Sequence, residues 1–426
     1  MNAGVATARL PREAVNAKLI ALAVSASIAF GIFLTGFVVR EPAPYELFMA
    51  LVMPIWALFG LRISRTVAPM ALLLVLFVIG GMISMNQMDD VGEIPLYLAV
   101  SLFLGLTGVF FAAVLESRPD LYRLIFWAWT AAAIATTALG MAGYFGLTPG
   151  EMFTLYGRAA GAFKDPNVFG PFLVLPAVFM LQQILTGRPT AMPLYVAILI
   201  FITAGIFLSF SRGAWGLFMF SGLVVTASLY MRSTSNIFRL RILLMGFFAV
   251  VVLGLALIVA LQIPAVADIF SERAQLAQSY DTARLGRFAR YVIGFQMAME
   301  HPLGIGPLEF GLMLGEDTHN IWLKSLLDYS WLGFAAYLTL IVWTIAGGFR
   351  ILFRDRPWQP FLLTAYAVFI GHVLLGTVID TNHWRHFYLL LGMIWGAMAL
   401  EARWQIRLRA NAQPDRLGLA PQAARG

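Results

Sequence analysis

The stretch IPLYLAVSLFLGLTGVFFAAVL, residues 94–115, decides the fold because it is apolar throughout and carries no charge. As a helix it is long enough to cross a hydrocarbon layer of about 30 Å. Similar runs occupy residues 17–39, 67–85 and 240–263. Charged residues make up 12% of the chain, against about 25% in a soluble domain. The sequence therefore predicts an all-α polytopic membrane protein.

Apolar segments of crossing length predict about twelve transmembrane helices. They are expected near residues 17–39, 45–61, 67–85, 94–115, 121–143, 167–186, 191–210, 213–231, 240–262, 320–347, 359–379 and 385–402. The predicted organisation is a cytoplasmic N-terminal tail at 1–16, a transmembrane domain at 17–403 and a cytoplasmic C-terminal tail at 404–426. An even number of spans places both termini on the same side.

Basic residues set the orientation. The chain carries a net charge of +7, and placing the N-terminus inside puts nineteen Lys and Arg residues in cytoplasmic segments and nine outside. This asymmetry follows the positive-inside rule. The chain has no cysteine, which excludes disulfides, thiol nucleophiles and zinc–thiolate sites.

The basic residues on the outside are concentrated in three places, namely residues 158–164, residues 211–213 and a long segment at 263–319. The long segment is the one sizeable extramembrane loop. Its part RLGRFARYVIGFQMAM, residues 284–299, has arginines and apolar residues at helical spacing. This pattern predicts an amphipathic helix lying along the membrane surface.

Three predicted helices begin on that outer side with polar motifs. The motifs are KDPN at 164–167, SFSRG at 209–213 and DTHN at 317–320. A helix N-terminus presents free N–H groups and a partial positive charge, which favour anions. Together with nearby cations, these starts predict a diphosphate pocket; the cations are Arg158, Lys164, Arg212 and Arg287.

Each motif also has a structural interpretation. Gly157, Gly161 and Pro166-Asn167 are typical of turns, and Arg212 is placed where an arginine reaches the membrane interface. Arg284, Arg287 and Arg290 would solvate a surface helix or meet anionic headgroups. His319 with Asn320 would serve as a helix cap. The functional interpretation requires that the three motifs and these basic residues lie together at the outer face of the membrane.

Two groups of residues suggest a metal site as an alternative. His383 and His386 lie near Asp380 on the outer side, and Asp89, Asp90 and Glu93 follow the third span. Imidazoles and carboxylates are metal ligands, but their spacing is not specific. His372 and Asp380 are interpreted as packing or supporting groups.

Two stretches resemble the O-antigen ligase/polymerase superfamily of bacterial envelope glycosyltransferases. The first combines GRAAGAFKDPNVFGPFL (157–173) with SFSRGAWGL (209–217). The second combines GRFARYVIGFQMAMEHPLGIGPLEFG (286–311) with DTHNIWLKSLLDYSWLGFAAYL (317–338). The family pattern has an Arg, an aromatic, a Pro-x-Gly-x-Gly turn, a His-Asn helix start and a Gly-containing span. These places are filled by Arg287, Tyr291, Pro302, Gly304, Gly306, His319, Asn320 and Gly333.

The resemblance implies a GT-C-like helical fold, no metal and no cofactor. It implies transfer of a glycan from undecaprenyl diphosphate at the periplasmic face of the bacterial inner membrane, to lipid A–core or to a glycan repeat unit. The implied catalytic residues are Arg212, Arg287 and His319. Tyr291 stands where the family has tryptophan, and Arg284 is an alternative to Arg287. The expected substrate-binding residues are Arg158, Lys164, Asn167, Arg284, Arg290 and Asn320.

Two other classes of function remain open from the sequence. A transporter or flippase of lipid-linked sugars would also have twelve spans. In such proteins, however, charged residues are expected near the membrane midplane, and the chain is expected to contain inverted repeats. A non-catalytic scaffold of an envelope-assembly complex would tolerate substitution of the motif residues. Nucleic acid is not an expected partner, since the positive charge is explained by membrane topology.

Overall fold

The computed structural model describes residues 12–273 and 286–411. These residues form an α-helical bundle, as expected for a chain whose backbone polar groups must be satisfied inside lipid. The first nine helices are α1 (Arg12–Leu34), α2 (Pro44–Leu58), α3 (Ala68–Met85), α4 (Ile94–Ser117), α5 (Leu121–Tyr144), α6 (Pro166–Thr186), α7 (Met192–Leu208), α8 (Arg212–Arg232) and α9 (Asn236–Ala260). A short 3-10 helix, Pro189–Ala191, precedes α7.

The described residues that follow form seven more helices, namely α10 (Pro264–Arg273), α11 (Arg287–Glu300), α12 (Glu309–Leu314), α13 (Ile321–Asp328), α14 (Ser330–Leu352), α15 (Gln359–Leu375) and α16 (Arg385–Asn411). The predicted outer segment 263–319 thus contains α10, α11 and α12. A two-stranded antiparallel hairpin, β1 (Thr154–Leu155) and β2 (Arg158–Ala159), lies between α5 and α6.

Within the described ranges, eight helices are long and apolar enough to cross a membrane, and three shorter helices are also apolar. The chain is therefore a multi-pass membrane protein, while the predicted number of twelve spans stays a prediction. Helix α16 continues through Asn411, past the predicted end of the transmembrane domain at 403.

The predicted span at 320–347 begins later than expected. Ser330 has φ +60° and separates the short α13 from the long α14. This left-handed conformation is uncommon for a residue with a side chain. The result is a kinked entry into the span, with His319 and Asn320 held at one end of the bundle.

Glycines let the central helices cross closely. A Cβ on Gly80 of α3 would stand 2.1 Å from the carbonyl oxygen of Tyr329 and 2.5 Å from the backbone nitrogen of Gly333. At a second crossing, a Cβ on Gly392 of α16 would stand 2.5 Å from the carbonyl oxygen of Gly108 in α4. Small residues serve this purpose in membrane helices, as the sequence predicts for Gly80-Gly81.

The two ends of the bundle differ in their charges. The motif end is defined here as the end where α6, α8 and α13 begin and α15 ends. At the opposite end, Arg354 and Arg356 both pair with Glu401, at 2.5 and 2.7 Å, and Arg403 pairs with Glu116 at 2.7 Å. These ion pairs link the ends of α4, α14 and α16 to one another.

Substituting Gly80 with alanine is expected to lower the stability of the bundle by about 1–3 kcal/mol, because the new methyl group meets backbone atoms that have no rotamer to change. The measurement is the thermal unfolding midpoint of purified protein in detergent. Gly254→Ala in α9 is the matched control, because a Cβ there meets nothing within 4 Å. Equal midpoints for the two variants would contradict the close crossing.

Candidate functional site

The first polar motif is anchored by Arg158, which lies in β2 and is buried. Its Nε donates to the carbonyl oxygen of Ser209 at 2.8 Å, and a terminal nitrogen donates to Oδ1 of Asn167 at 2.9 Å. Asp165 caps α6 by accepting from the N–H of Asn167 at 2.7 Å. Lys164 is exposed beside this cap. The guanidinium of Arg158 therefore joins the first motif to the second.

The second motif is a tight turn followed by a helix start. Phe210 is buried with φ +44°, and Ser211 caps α8 by accepting from the N–H of Ala214 at 3.4 Å. The Oγ of Ser209 accepts from the N–H of Ser211 at 3.3 Å. Arg212 is the first residue of α8 and is half-buried. Its charge consequently stands at the positive end of the α8 dipole.

The third motif is a strained turn at His319, which has φ +49°. Such conformations in non-glycine residues are often associated with functional sites. Asn320 caps α13 by accepting from the N–H groups of Trp322 and Leu323 at 3.0 and 3.2 Å. Asn320 thus caps the helix, as the structural interpretation of the sequence anticipates, while His319 lies just outside the helix.

Tyr291 connects the long segment to this turn. Its hydroxyl is 3.2 Å from the carbonyl oxygen of His319 and 3.1 Å from that of Thr377, and its single proton is shared between these two acceptors. Helix α11 is thereby tied both to the histidine turn and to the loop that follows α15.

The second and third motifs meet at the end of α15. A Cβ on Gly213 of α8 would stand 2.5 Å from Cδ1 of Leu375. Gly376 directly follows the last residue of α15, and its carbonyl oxygen accepts a hydrogen bond from the N–H of Ile321 at 2.9 Å. Arg212 directly precedes Gly213, and His319 lies two residues before Ile321, so the segments that carry both residues pack against the same end of α15.

A buried cluster of charges supports the histidine turn. Lys324 is buried and pairs with Asp317 and with Asp328, the latter at 2.7 Å. Asp380 accepts hydrogen bonds from the backbone N–H groups of His319 and Asn320. A buried lysine needs such partners, because an isolated charge in a low-dielectric interior is costly.

Burial raises the pKa of Asp380 to about 6, and the positive charge of Lys324 opposes this rise. From the sequence, Asp380 is interpreted only as a packing or supporting group, and Lys324 is given no role. The available signal was a lysine four residues before an aspartate in an otherwise apolar helix.

The Pro302–Gly306 turn docks on the end of α3. The Oγ of Ser84 donates to the carbonyl oxygen of Leu327 and accepts from the N–H of Gly306, both at 2.9 Å. Gly304 has φ +83°, and a Cβ there would stand 2.1 Å from that Oγ. Only glycine fits both this conformation and this contact.

The arginines of the long segment have different settings. Arg290 is buried and pairs with Glu316 at 2.5 Å, so its charge is matched within the protein. Arg287 begins α11, and Arg284 lies outside the described residues. Helix α11 carries an exposed apolar stripe of Phe288, Val292, Phe295 and Met299, which suits a membrane surface.

The histidines considered as metal ligands contact other side chains. His383 is 2.8 Å from Oγ of Ser101 through its Nε2 and stacks on Tyr97 with ring centroids 4.2 Å apart. Burial lowers the pKa of His383 to about 3. His386 is buried beside His372, with centroids 5.1 Å apart. Across the part of the chain with described coordinates, no three His, Asp or Glu residues gather as a metal site.

Residues 197–338 match a family model described as O-antigen ligase. The matched region runs from α7 into α14 and includes Arg212, Arg287 and His319, while Arg158 and Lys164 precede it. No curated protein matches the chain. The match supports the resemblance to the O-antigen ligase/polymerase superfamily over about a third of the chain, and the helix-start motifs at 209–213 and 317–320 lie within it.

Proposed function

We propose that this membrane protein transfers a glycan from undecaprenyl diphosphate to an acceptor sugar, at the periplasmic face of the bacterial inner membrane. The observation that carries the proposal is the meeting of the Arg212 helix start and the His319 turn at the end of α15. In this proposal Arg212 binds the leaving diphosphate, and His319 acts on the attacking hydroxyl.

On the donor side, charge stabilisation is the main requirement. When the bond between the sugar and the diphosphate breaks, negative charge grows on the diphosphate oxygens. The guanidinium of Arg212 and the N–H groups at the start of α8 are preorganised to meet that charge. Arg287 and Lys164 add to the positive field in this proposal, and Arg158 with Asn167 holds the Ser209 turn in place.

On the acceptor side, His319 takes the proton. An acceptor hydroxyl oxygen forms the new bond to the anomeric carbon while the carbon–oxygen bond to the diphosphate breaks, and the hydroxyl proton passes to the imidazole. Direct displacement gives inversion at the anomeric carbon. A positioned general base contributes about 10²–10⁴-fold to such a step. No step in this mechanism requires a metal or a cofactor.

Several groups position the histidine. Asp380 and Tyr291 hold its backbone from two sides, and Asn320 fixes the start of α13 behind it. Arg290 joins α11 to Glu316 on the same segment. In this proposal Arg290 and Asn320 support the substrate site, and Arg284 remains a predicted contact to the donor.

The distribution of charge supports the orientation. The basic residues Arg350, Arg354, Arg356, Arg403 and Arg407 follow or end the helices that run away from the motif end. By the positive-inside rule this distribution favours the proposed orientation, with the opposite end and both termini in the cytoplasm and the motif end in the periplasm. The acceptor is lipid A–core for a ligase and a glycan repeat unit for a polymerase.

The transporter and scaffold alternatives fit the geometry less well. Arg212 and His319 stand at helix ends and not at the middle of the spans, whereas transport sites lie near the membrane midplane. A scaffold has no need of a strained histidine turn braced by a buried ion cluster. Transfer by purified protein with a lipid-linked donor separates the enzyme from both alternatives.

Replacing His319 with alanine is expected to lower the rate of glycan transfer by at least about 10²-fold, since the general base is lost. The rate is measured with purified protein and lipid-linked donor, and membrane insertion is measured in parallel. His301→Ala is the matched control, because His301 lies in the same long segment, is exposed and bonds to the carbonyl oxygen of the nearby Met297. Transfer at the wild-type rate by the His319 variant would refute the role of the histidine.

Replacing Arg212 with lysine is expected to reduce transfer although the charge is kept, because a compact ammonium cannot bind two phosphate oxygens as the planar guanidinium does. Arg232→Lys at the other end of α8 is the control and should leave transfer unchanged. Equal rates in the two variants would indicate that Arg212 serves only the turn.

Transfer should fall as the pH is lowered through about 6, because the raised pKa of Asp380 means that its carboxylate becomes protonated there and holds the His319 turn less firmly. Lys324 and Asp317 are the charged groups that face it. In Asp380→Asn the maximal rate should be lower and the dependence weaker, while exposed Asp90→Asn keeps the wild-type profile. An unchanged profile in the Asp380 variant would rule out this contribution.

A further inference from the structure

A cavity of about 320 Å³ lies at the opposite end of the bundle from the three motifs. It is bounded by α14, by α16 and by Thr66 in the loop before α3. Two arginines, Arg350 and Arg354, line it together with the carboxylate of Glu401. This space is termed the arginine cavity, and the proposed glycan transfer gives it no role.

The lining of the arginine cavity follows helical spacing on both walls. Trp343, Gly347 and Arg350 on α14 are four and three residues apart, so they share one face of that helix. Met398 and Gln405 on α16 are seven residues apart, or about two turns, and likewise share a face. The cavity is therefore a groove that runs along two neighbouring helices.

Polarity changes along this groove. Its end nearer the middle of the helices is formed by Trp343 and Met398, and its other end holds Arg350 and Gln405. Trp343 and Arg350 are about 10 Å apart along the axis of α14, at 1.5 Å per residue. The polar layer on each side of a bilayer is of similar depth, about 5–8 Å. The groove thus passes from an apolar to a polar surface over the distance at which hydrocarbon gives way to headgroups.

The polar end carries an excess of positive charge. Glu401 accepts from Arg354 at 2.5 Å and from Arg356 at 2.7 Å, so one carboxylate faces two guanidinium groups. Arg350 adds a third cation at the same end. Three guanidinium groups and one carboxylate leave two positive charges unbalanced within this set. A phosphodiester, which carries one negative charge, is complementary to such a set, because guanidinium groups bind phosphate oxygens well.

Both ends of the groove are accessible from outside the protein. The side chain of Arg354 is 42% exposed, Trp343 is 44% exposed and Arg350 is exposed as well. Tryptophan is also enriched where hydrocarbon meets headgroups. A lipid of the surrounding leaflet can consequently reach the apolar end with an acyl chain and the arginines with its phosphate, without leaving the bilayer.

We propose that the arginine cavity binds one anionic glycerophospholipid of the surrounding membrane. Its phosphodiester lies against Arg350 and Arg354, and its glycerol and first acyl methylenes lie against Trp343 and Met398. Basic pockets between transmembrane helices are sites of this kind for anionic headgroups. The bound lipid bridges α14 and α16 and adds to the ion pairs that join them. The proposal does not depend on the glycan donor or on transfer.

The affinity test uses purified full-length protein, stripped of lipid in detergent and titrated with phosphatidylglycerol. Bound lipid is counted by native mass spectrometry. One phosphatidylglycerol is expected to bind at least about fivefold more tightly than phosphatidylcholine of the same chain length, whose head has no net charge. Equal affinities would overturn the proposal. Displacement of the lipid by inorganic phosphate at the same concentration would also overturn it, because it would show a site for a free anion.

The location is tested with a phosphatidylglycerol that carries a diazirine near the top of one acyl chain. After photolysis of the wild-type protein, label is expected on the segments that contain Trp343 and Met398, and unlabelled phosphatidylglycerol should compete it away. Label confined to other helices would overturn the proposal. This measurement needs no variant, so its outcome does not depend on how a substitution affects folding.

The variant for the affinity test is Arg350→Gln, which removes one cation from the polar end. The affinity for phosphatidylglycerol should fall about fivefold, as expected for one basic contact, while the affinity for phosphatidylcholine should stay the same. The unfolding midpoint measured in phosphatidylcholine should equal that of the wild type, which separates loss of the lipid from loss of the fold.

Arg232→Gln is the matched control. Arg232 is also an exposed arginine in the last turn of a helix, and α8 ends at the same end of the bundle. Its substitution should leave the affinity for phosphatidylglycerol at the wild-type value. If the two variants bind alike, Arg350 serves only the end of α14, and the proposal fails while the proposed glycan transfer is unaffected.

Discussion

The hydrogen bond from the N–H of Ile321 to the carbonyl oxygen of Gly376 joins the histidine turn to the end of α15. Leu375, the residue before Gly376, also contacts α8 beside Arg212. Two segments about one hundred residues apart in sequence thus pack against one helix end, one on the Leu375 side chain and the other on the Gly376 carbonyl. The segments that carry the arginine and the histidine are therefore joined through the end of α15.

Three basic residues near the motifs are buried, and each has partners within the protein, namely Lys324, Arg158 and Arg290. Such pairs add little net stability, since desolvation offsets much of their attraction, but removing one partner is costly. Their effect is to fix the turns that present Arg212 and His319. The proposed glycan-transfer site would need this rigidity, because the groups proposed to be catalytic must hold their places before charge develops.

The membrane supplies the remaining constraint. A lipid-linked donor stays in the bilayer, so its diphosphate can be reached only at the depth of the headgroups, which is where helix ends and their dipoles occur. The exposed apolar stripe on α11 suits a surface at that depth. The groups proposed to react lie at helix ends, where such a boundary is expected.

The sequence by itself determined the class of fold, the polar helix starts and the family resemblance, because apolar length, capping residues and basic asymmetry are local properties of the chain. It also indicated Arg212 and His319 as candidates. It did not determine that α13 and α14 are separate helices at Ser330, or that Arg290 faces Glu316. Nor did it show that Asp380 braces the histidine turn or that a cavity with two arginines lies between α14 and α16. These features arise from contacts between helices distant in sequence, where packing decides which side chains are buried, which charges are paired and where space is left.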